Sequence, residues 1–183
     1  MLIDDLDSVP DFLTDGVRGI LLIHRNKDGE KANAQRKAFT RISNGTEEWK
    51  KIILELRELQ LSQFPTHRIY ASVNQRNTEK AIREFKRRQL QHDYDPLNIR
   101  HEFYYDIKNR FFSCLMSPMN KADYNLLIDC DSNKEYRKAL CTLMPNEILF
   151  DYATKNGRHI ISKPFNPTGC TLQIKKDDLL AIA

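Results

Sequence analysis

The fold turns on the stretch Leu126-Leu127-Ile128-Asp129-Cys130-Asp131-Ser132, which runs directly into Asn133-Lys134-Glu135. The apolar run Leu126 to Ile128 is short and ends in acids, which predicts a brief buried strand rather than a helix. Ser132 and Glu135 stand at capping-box spacing and predict a helix through about Leu143. Successive strand side chains point to opposite faces, so Asp129 and Asp131 project together while Cys130 points away. Two carboxylates so placed suit a hard divalent ion, Mg²⁺ or Mn²⁺, better than zinc. The plainer reading is that Asp131 or Ser132 caps the helix and Asp129 only ends the strand.

Downstream, the apolar runs Glu147 to Thr154 and Arg158 to Lys163 are joined across Lys155-Asn156-Gly157. Asn-Gly between two such runs predicts a β-hairpin. His159 follows the turn and is positioned for its imidazole to donate to a phosphate oxygen, with Thr154, Lys155, Arg158 and Lys163 adding a hydroxyl and positive charge nearby. The plainer alternative is a histidine exposed on a hairpin.

Upstream, Gly19 to Ile23 predicts a buried strand ending in the polar loop His24 to Gly29. Asn44 to Glu48 supplies a turn, an N-cap and first-turn acids for a helix through about Gln60, with Trp49, Ile52, Ile53, Leu56 and Leu59 on one face. Arg68 to Val73 reads as a strand, and Asn77-Thr78-Glu79 opens a helix with an apolar stripe of Ala81, Ile82, Phe85 and Leu90. Between His101 and Met116 the aromatic spacing fits a helix or two short strands, and a helix is the expectation adopted. Arg76, Lys80, Arg83 and Arg87 are candidate nucleic-acid contacts. Lys80, Arg83 and Arg87 share one helical face that could follow a phosphate backbone or simply be solvated.

The alternation of strands and helices predicts an α/β or α+β chain. At 183 residues with no repeat or linker, it reads as one domain, with approximate halves at 1–100 and 101–183. Lys+Arg 29 against Asp+Glu 25 leaves a net charge of +4, which permits a nucleic-acid partner without requiring one. Cys114, Cys130, Cys141 and Cys170 lack zinc-site spacing. An acidic start and the absence of an apolar run near the roughly 18 residues of a membrane span predict a cytoplasmic protein with no membrane partner. Walker, G-x-G-x-x-G and G-x-S-x-G motifs are absent.

An apolar strand ending in D-x-D, here Leu127-Ile128-Asp129-Cys130-Asp131, followed by a hairpin strand with a small-polar-x-His element, here Thr154 to Ile161, resembles the first two motifs of the archaeo-eukaryotic primase superfamily, the primase-polymerases. Thr154 to Asn166 is also similar to a segment of small primase-like phage proteins. The resemblance spans about Ile69 to Ile174. It implies metal binding by Asp129 and Asp131 and a phosphate contact by His159. A third acidic residue is expected on a later strand, with Asp177 and Asp178 as candidates after Leu172-Gln173-Ile174-Lys175-Lys176. The fold implied is a primase-like catalytic core: an antiparallel half related to the RNA-recognition fold, with helices on one face, beside a small α/β N-terminal half.

The leading expectation is a metal-dependent nucleotidyltransferase acting on nucleoside triphosphates and a single-stranded or primed nucleic acid, in the host cytoplasm if phage-encoded. A catalytically inactive primase-like nucleic-acid-binding or regulatory protein is the alternative. A phage protein-binding module is a third.

Overall fold

The computed structural model describes residues 6–24, 38–94, 106–154, 157–166, 172–175 and 179–182. The loop predicted after His24, residues 101–105 of the ambiguous aromatic stretch, Lys155, Cys170, Asp177 and Asp178 lie outside them. The described residues form a mixed α+β fold with two four-stranded sheets, all of whose pairings are antiparallel.

The first sheet takes its strands from both ends of the chain. Helix α1 (Asp11–Thr14) leads into β1 (Val17–His24), which pairs with β2 (Phe39–Asn44) on one side and β3 (His67–Ser72) on the other. Strand β8 (Leu179–Ala181) returns to the far edge of β3, giving the order β2-β1-β3-β8. Helix α2 (Thr46–Gln63) buries Trp49, Ile52, Ile53 and Leu56, the face its periodicity predicts, in one cluster with Ile20, Leu22, Ile69, Ala71, Leu180 and Ile182. Gly45 begins the helix at a φ of 100°, a conformation other residues rarely adopt, and Glu48 accepts from the Asn44 amide at 2.8 Å. Burial of Arg18 in β1 is compensated by backbone carbonyls: Nε donates to Asp15 at 3.1 Å, one terminal nitrogen to Val73 at 2.6 Å, and the other to Phe12. Burial still pushes its pKa down to about 10.

Helices α3 (Thr78–Tyr94) and α4 (Ile107–Leu115) pack on each other, with Phe85 edge-on to Phe111 at 5.9 Å. Asn77 caps α3 by accepting from the Lys80 amide at 2.9 Å. The α3 stripe is only partly buried, for Ala81 is covered while Ile82 and Leu90 are exposed.

The second sheet has the order β5-β6-β4-β7, from β4 (Leu126–Cys130), β5 (Ile148–Ala153), β6 (Arg158–Ser162) and β7 (Gln173–Lys175). Helix α5 (Asn133–Thr142) crosses from β4 to β5, and Ser132 caps it by accepting from the Glu135 amide at 3.2 Å, as the capping-box spacing predicts. One face of this sheet, with Ile128, Cys130 and Ile160, packs against Ala139, Leu143 and Tyr136. On the other, Leu127, Ile161 and Tyr152 join the cluster that fills the first sheet's core. No helix among the described residues is long and apolar enough to cross a membrane.

Candidate active site

Strand β4 is central in its sheet, and its register decides what its acids meet. Asp129 stands opposite His159 on β6 and opposite Gln173 on β7. His159 in turn stands opposite Tyr152 on β5. By alternation these side chains share the face that carries Leu127 and Ile161, so the face is apolar where it enters the common core and polar toward the end of β4.

The polar end is a connected row. His159 Nε2 lies 3.1 Å from Asp129 Oδ1, and Tyr152 Oη lies 2.6 Å from His159 Nδ1. Lys175 Nζ reaches the other oxygen of Asp129, Oδ2, at 3.4 Å, diagonally across from its own register partner Leu127. With Nε2–H donated to Asp129, the Nδ1 of a neutral ring accepts from the Tyr152 hydroxyl, so both nitrogens are specified. Asp129 and His159 are half-buried, at 21% and 19% side-chain exposure, and Tyr152 is buried. Attraction between the pair is therefore less screened than on an open surface.

Asp131 lies one step past β4. Its amide donates to Glu135 at 2.9 Å, while its exposed carboxylate takes no hydrogen bond from the described residues. The hairpin closes tightly over this point. A Cβ on Gly157 would stand 2.0 Å from the Cys130 carbonyl oxygen and 3.0 Å from Asp131 Cα, so only glycine lets β6 begin there. Thr154 faces Gly157 across the turn, its amide donating to the Gly157 carbonyl at 2.8 Å. Cys130 points into the α5 face, where burial first and the acids Glu135, Asp129, Asp151 and Asp131 next push its thiol up to about 11.

Two of the basic hairpin residues do not meet His159. Arg158 is adjacent in sequence and therefore on the opposite face, where it bonds Asp151 at 3.0 Å and lies 4.7 Å over the Tyr136 ring. Lys163 shares the alternation of His159 but lies past the other end of β6, roughly 13 Å along the strand at its usual rise. Among the basic residues near α3, Arg76 is not on the helix face. It is 3% exposed, precedes the helix, and its backbone forms an isolated antiparallel β-bridge with that of Lys121. Lys80, Arg83 and Arg87 are exposed on α3, with Arg83 paired to Glu79 and Arg87 bonded to Gln91 at 3.2 Å.

Tyr152 and Lys175 are the site residues that sequence reasoning missed. Each lies on a strand that meets Asp129 or His159 only through cross-strand register, which no local motif encodes.

Among the described residues, no group of three or more His, Cys, Asp and Glu side chains is arranged to hold a metal ion. Asp129, Asp131 and His159, the residues the D-x-D and histidine motifs imply at an ion, are therefore not gathered into such a group. Comparison of the chain with protein-family models, with curated proteins and with solved structures finds no match.

Proposed function

We propose that the chain is a primase-like, metal-dependent nucleotidyltransferase core that joins a nucleoside triphosphate to a nucleic-acid strand. The observation that carries this reading is the pairing of Asp129 with His159 on adjacent strands of one sheet face, with His159 Nε2 3.1 Å from the carboxylate. Sequence order alone left these two motifs tens of residues apart. The order β5-β6-β4-β7, with a helical crossover after β4 and a hairpin before β6, is also that of an RNA-recognition-like sheet, and supports the reading at the level of topology.

In this reading Asp129 and Asp131 hold the ion and His159 donates from Nε2 to a phosphate oxygen. Tyr152 keeps the ring in the tautomer that can donate. A divalent ion bound there supplies charge neutralisation for the displacement of pyrophosphate at the α-phosphate. The purified protein is expected to extend a primed template with Mn²⁺ or Mg²⁺, and the double variant Asp129→Ala, Asp131→Ala to lose at least about a hundredfold in rate. Equal incorporation by a folded double variant would remove the assignment.

One observation favours a second reading, a protein that keeps the fold and binds nucleic acid without catalysis. On β7 the positions sharing the site's face are Gln173 and Lys175, neither of them a carboxylate. Salt-sensitive binding of single strands with no incorporation under any metal would select it.

A further inference from the structure

We infer that Tyr136, Asp151 and Arg158 form a clamp on the far side of the second sheet that positions His159, by holding the opening residues of β6 to β5 and to α5. The inference rests on the reading of His159 as the phosphate contact, and adds to it three positioning residues that face away from the site.

Tyr152 and His159 stand opposite one another across β5 and β6. Asp151 and Arg158, one position earlier on each strand, therefore project from the other face. They are diagonal neighbours there, since Asp151 stands opposite Ile160 and Arg158 opposite Ala153. Arg158 meets Asp151 Oδ1 through Nε and Nη2, each at 3.0 Å, while Asp151 Oδ2 accepts from the Tyr136 hydroxyl at 2.5 Å. The guanidinium also lies 4.7 Å over the Tyr136 ring, so each of the three side chains touches the other two. By accepting the phenolic bond, Asp151 pushes the Tyr136 pKa up, and the hydroxyl stays a donor at neutral pH.

Tyr136 lies in the first turn of α5, where its amide donates to the Ser132 carbonyl at 3.0 Å. The neighbouring Glu135 accepts from the Asp131 amide at 2.9 Å. The clamp thus joins β5 and β6 to the helix that starts at the end of β4, and the strands carrying Tyr152, His159 and Asp129 are tied to one point.

His159 is the second residue of β6, directly after the hairpin turn, and strand ends open more readily than strand centres. Its ring is held at both nitrogens, 2.6 Å from Tyr152 Oη and 3.1 Å from Asp129 Oδ1. Such bonds are lost beyond about 3.5 Å, so a drift of β6 by less than the rise of one residue breaks one or both. The bonds from Arg158 to Asp151 restrain the backbone next to His159 without touching its ring.

Long-range ¹H–¹⁵N spectra of the full chain read that ring directly. Asp151→Ala removes the acceptor shared by Tyr136 and Arg158, and is expected to turn the single Nε2–H form of His159 into a mixture. It is also expected to weaken binding of a non-hydrolysable α,β-imido nucleoside triphosphate with Mn²⁺ about three- to tenfold, the scale of one hydrogen bond. Tyr136→Phe keeps the ring beneath Arg158 and should change the spectrum in the same sense, to a smaller extent. Leu180→Ala weakens the first sheet instead, and below its melting temperature should leave the His159 pattern as in the wild type. A single Nε2–H form in both Asp151→Ala and Tyr136→Phe, or an equal mixture in Leu180→Ala, would overturn the clamp. A changed His159 pattern in a protein whose wild type binds no analogue would leave the clamp standing and overturn the nucleotide reading.

Discussion

At the scale of single residues, the candidate site depends on groups that a linear motif does not record. Tyr152→Phe keeps the ring that packs in the core and removes one hydroxyl, so the variant should fold while His159 loses the bond that fixes its tautomer. Long-range ¹H–¹⁵N spectra are expected to show a single Nε2–H form of His159 in the wild type and a mixture in the variant, with stability lowered by about 0.5–1.5 kcal/mol. A single tautomer in both would mean that Asp129 alone sets the ring. Gly157 makes a different demand. The Asn-Gly pair correctly announces a hairpin, but positive φ is confined, among the described residues, to Gly16 and Gly45. Gly157 is needed because the Cys130 carbonyl passes where a Cβ would stand. Gly157→Ala must push β6 from the end of β4, and a loss of at least about 2 kcal/mol in urea denaturation is expected. Strands β4 and β6, which carry Asp129 and His159, were legible because each is a short apolar run bounded by polar residues. Lys175 was not, because its significance depends on a carboxylate more than forty positions earlier in the chain.

At the scale of elements, periodicity succeeded where one face is fully covered and misled where cover is partial. Helix α2 buries the predicted face against a sheet, whereas α3 leaves Ile82 and Leu90 exposed, and the basic run assigned to it splits between a buried Arg76 and the exposed Lys80, Arg83 and Arg87. The missed strands have equally physical causes. In β2 (Phe39–Asn44) only Ser43 is buried, so no alternation shows, and β8 (Leu179–Ala181), with three residues, is too short to show a period of two. If α3 follows a phosphate backbone, replacing Lys80, Arg83 and Arg87 with Gln should weaken binding of single-stranded DNA and reduce the slope of log affinity against log salt by about 2, at roughly 0.7 per contact. Fluorescence anisotropy across a salt series would measure it, and an unaltered slope would return α3 to the role of a solvated face.

At the scale of the whole molecule, the two sheets share one apolar cluster, with Leu127, Tyr152 and Ile161 of the second sheet joined to Trp49, Ile69 and Leu180 of the first. Trp49 is the only tryptophan and is fully buried, so its emission reports the state of this cluster. Leu180→Ala, at an edge strand of the first sheet, is expected to cost about 2–5 kcal/mol. The loss should appear in one transition, shared between Trp49 emission and the amide hydrogen exchange of β4 and β6 in the second sheet. Two separate transitions would show that the sheets melt independently. Strand β7 completes the edge of one sheet and β8 the edge of the other, only a few residues apart in the chain. During synthesis, then, neither edge can close until residues 173–181 have emerged from the ribosome. Until then β3 and β4 each present an unpaired edge, and the three-residue strands β7 and β8 replace those edges with short ones within the same interval.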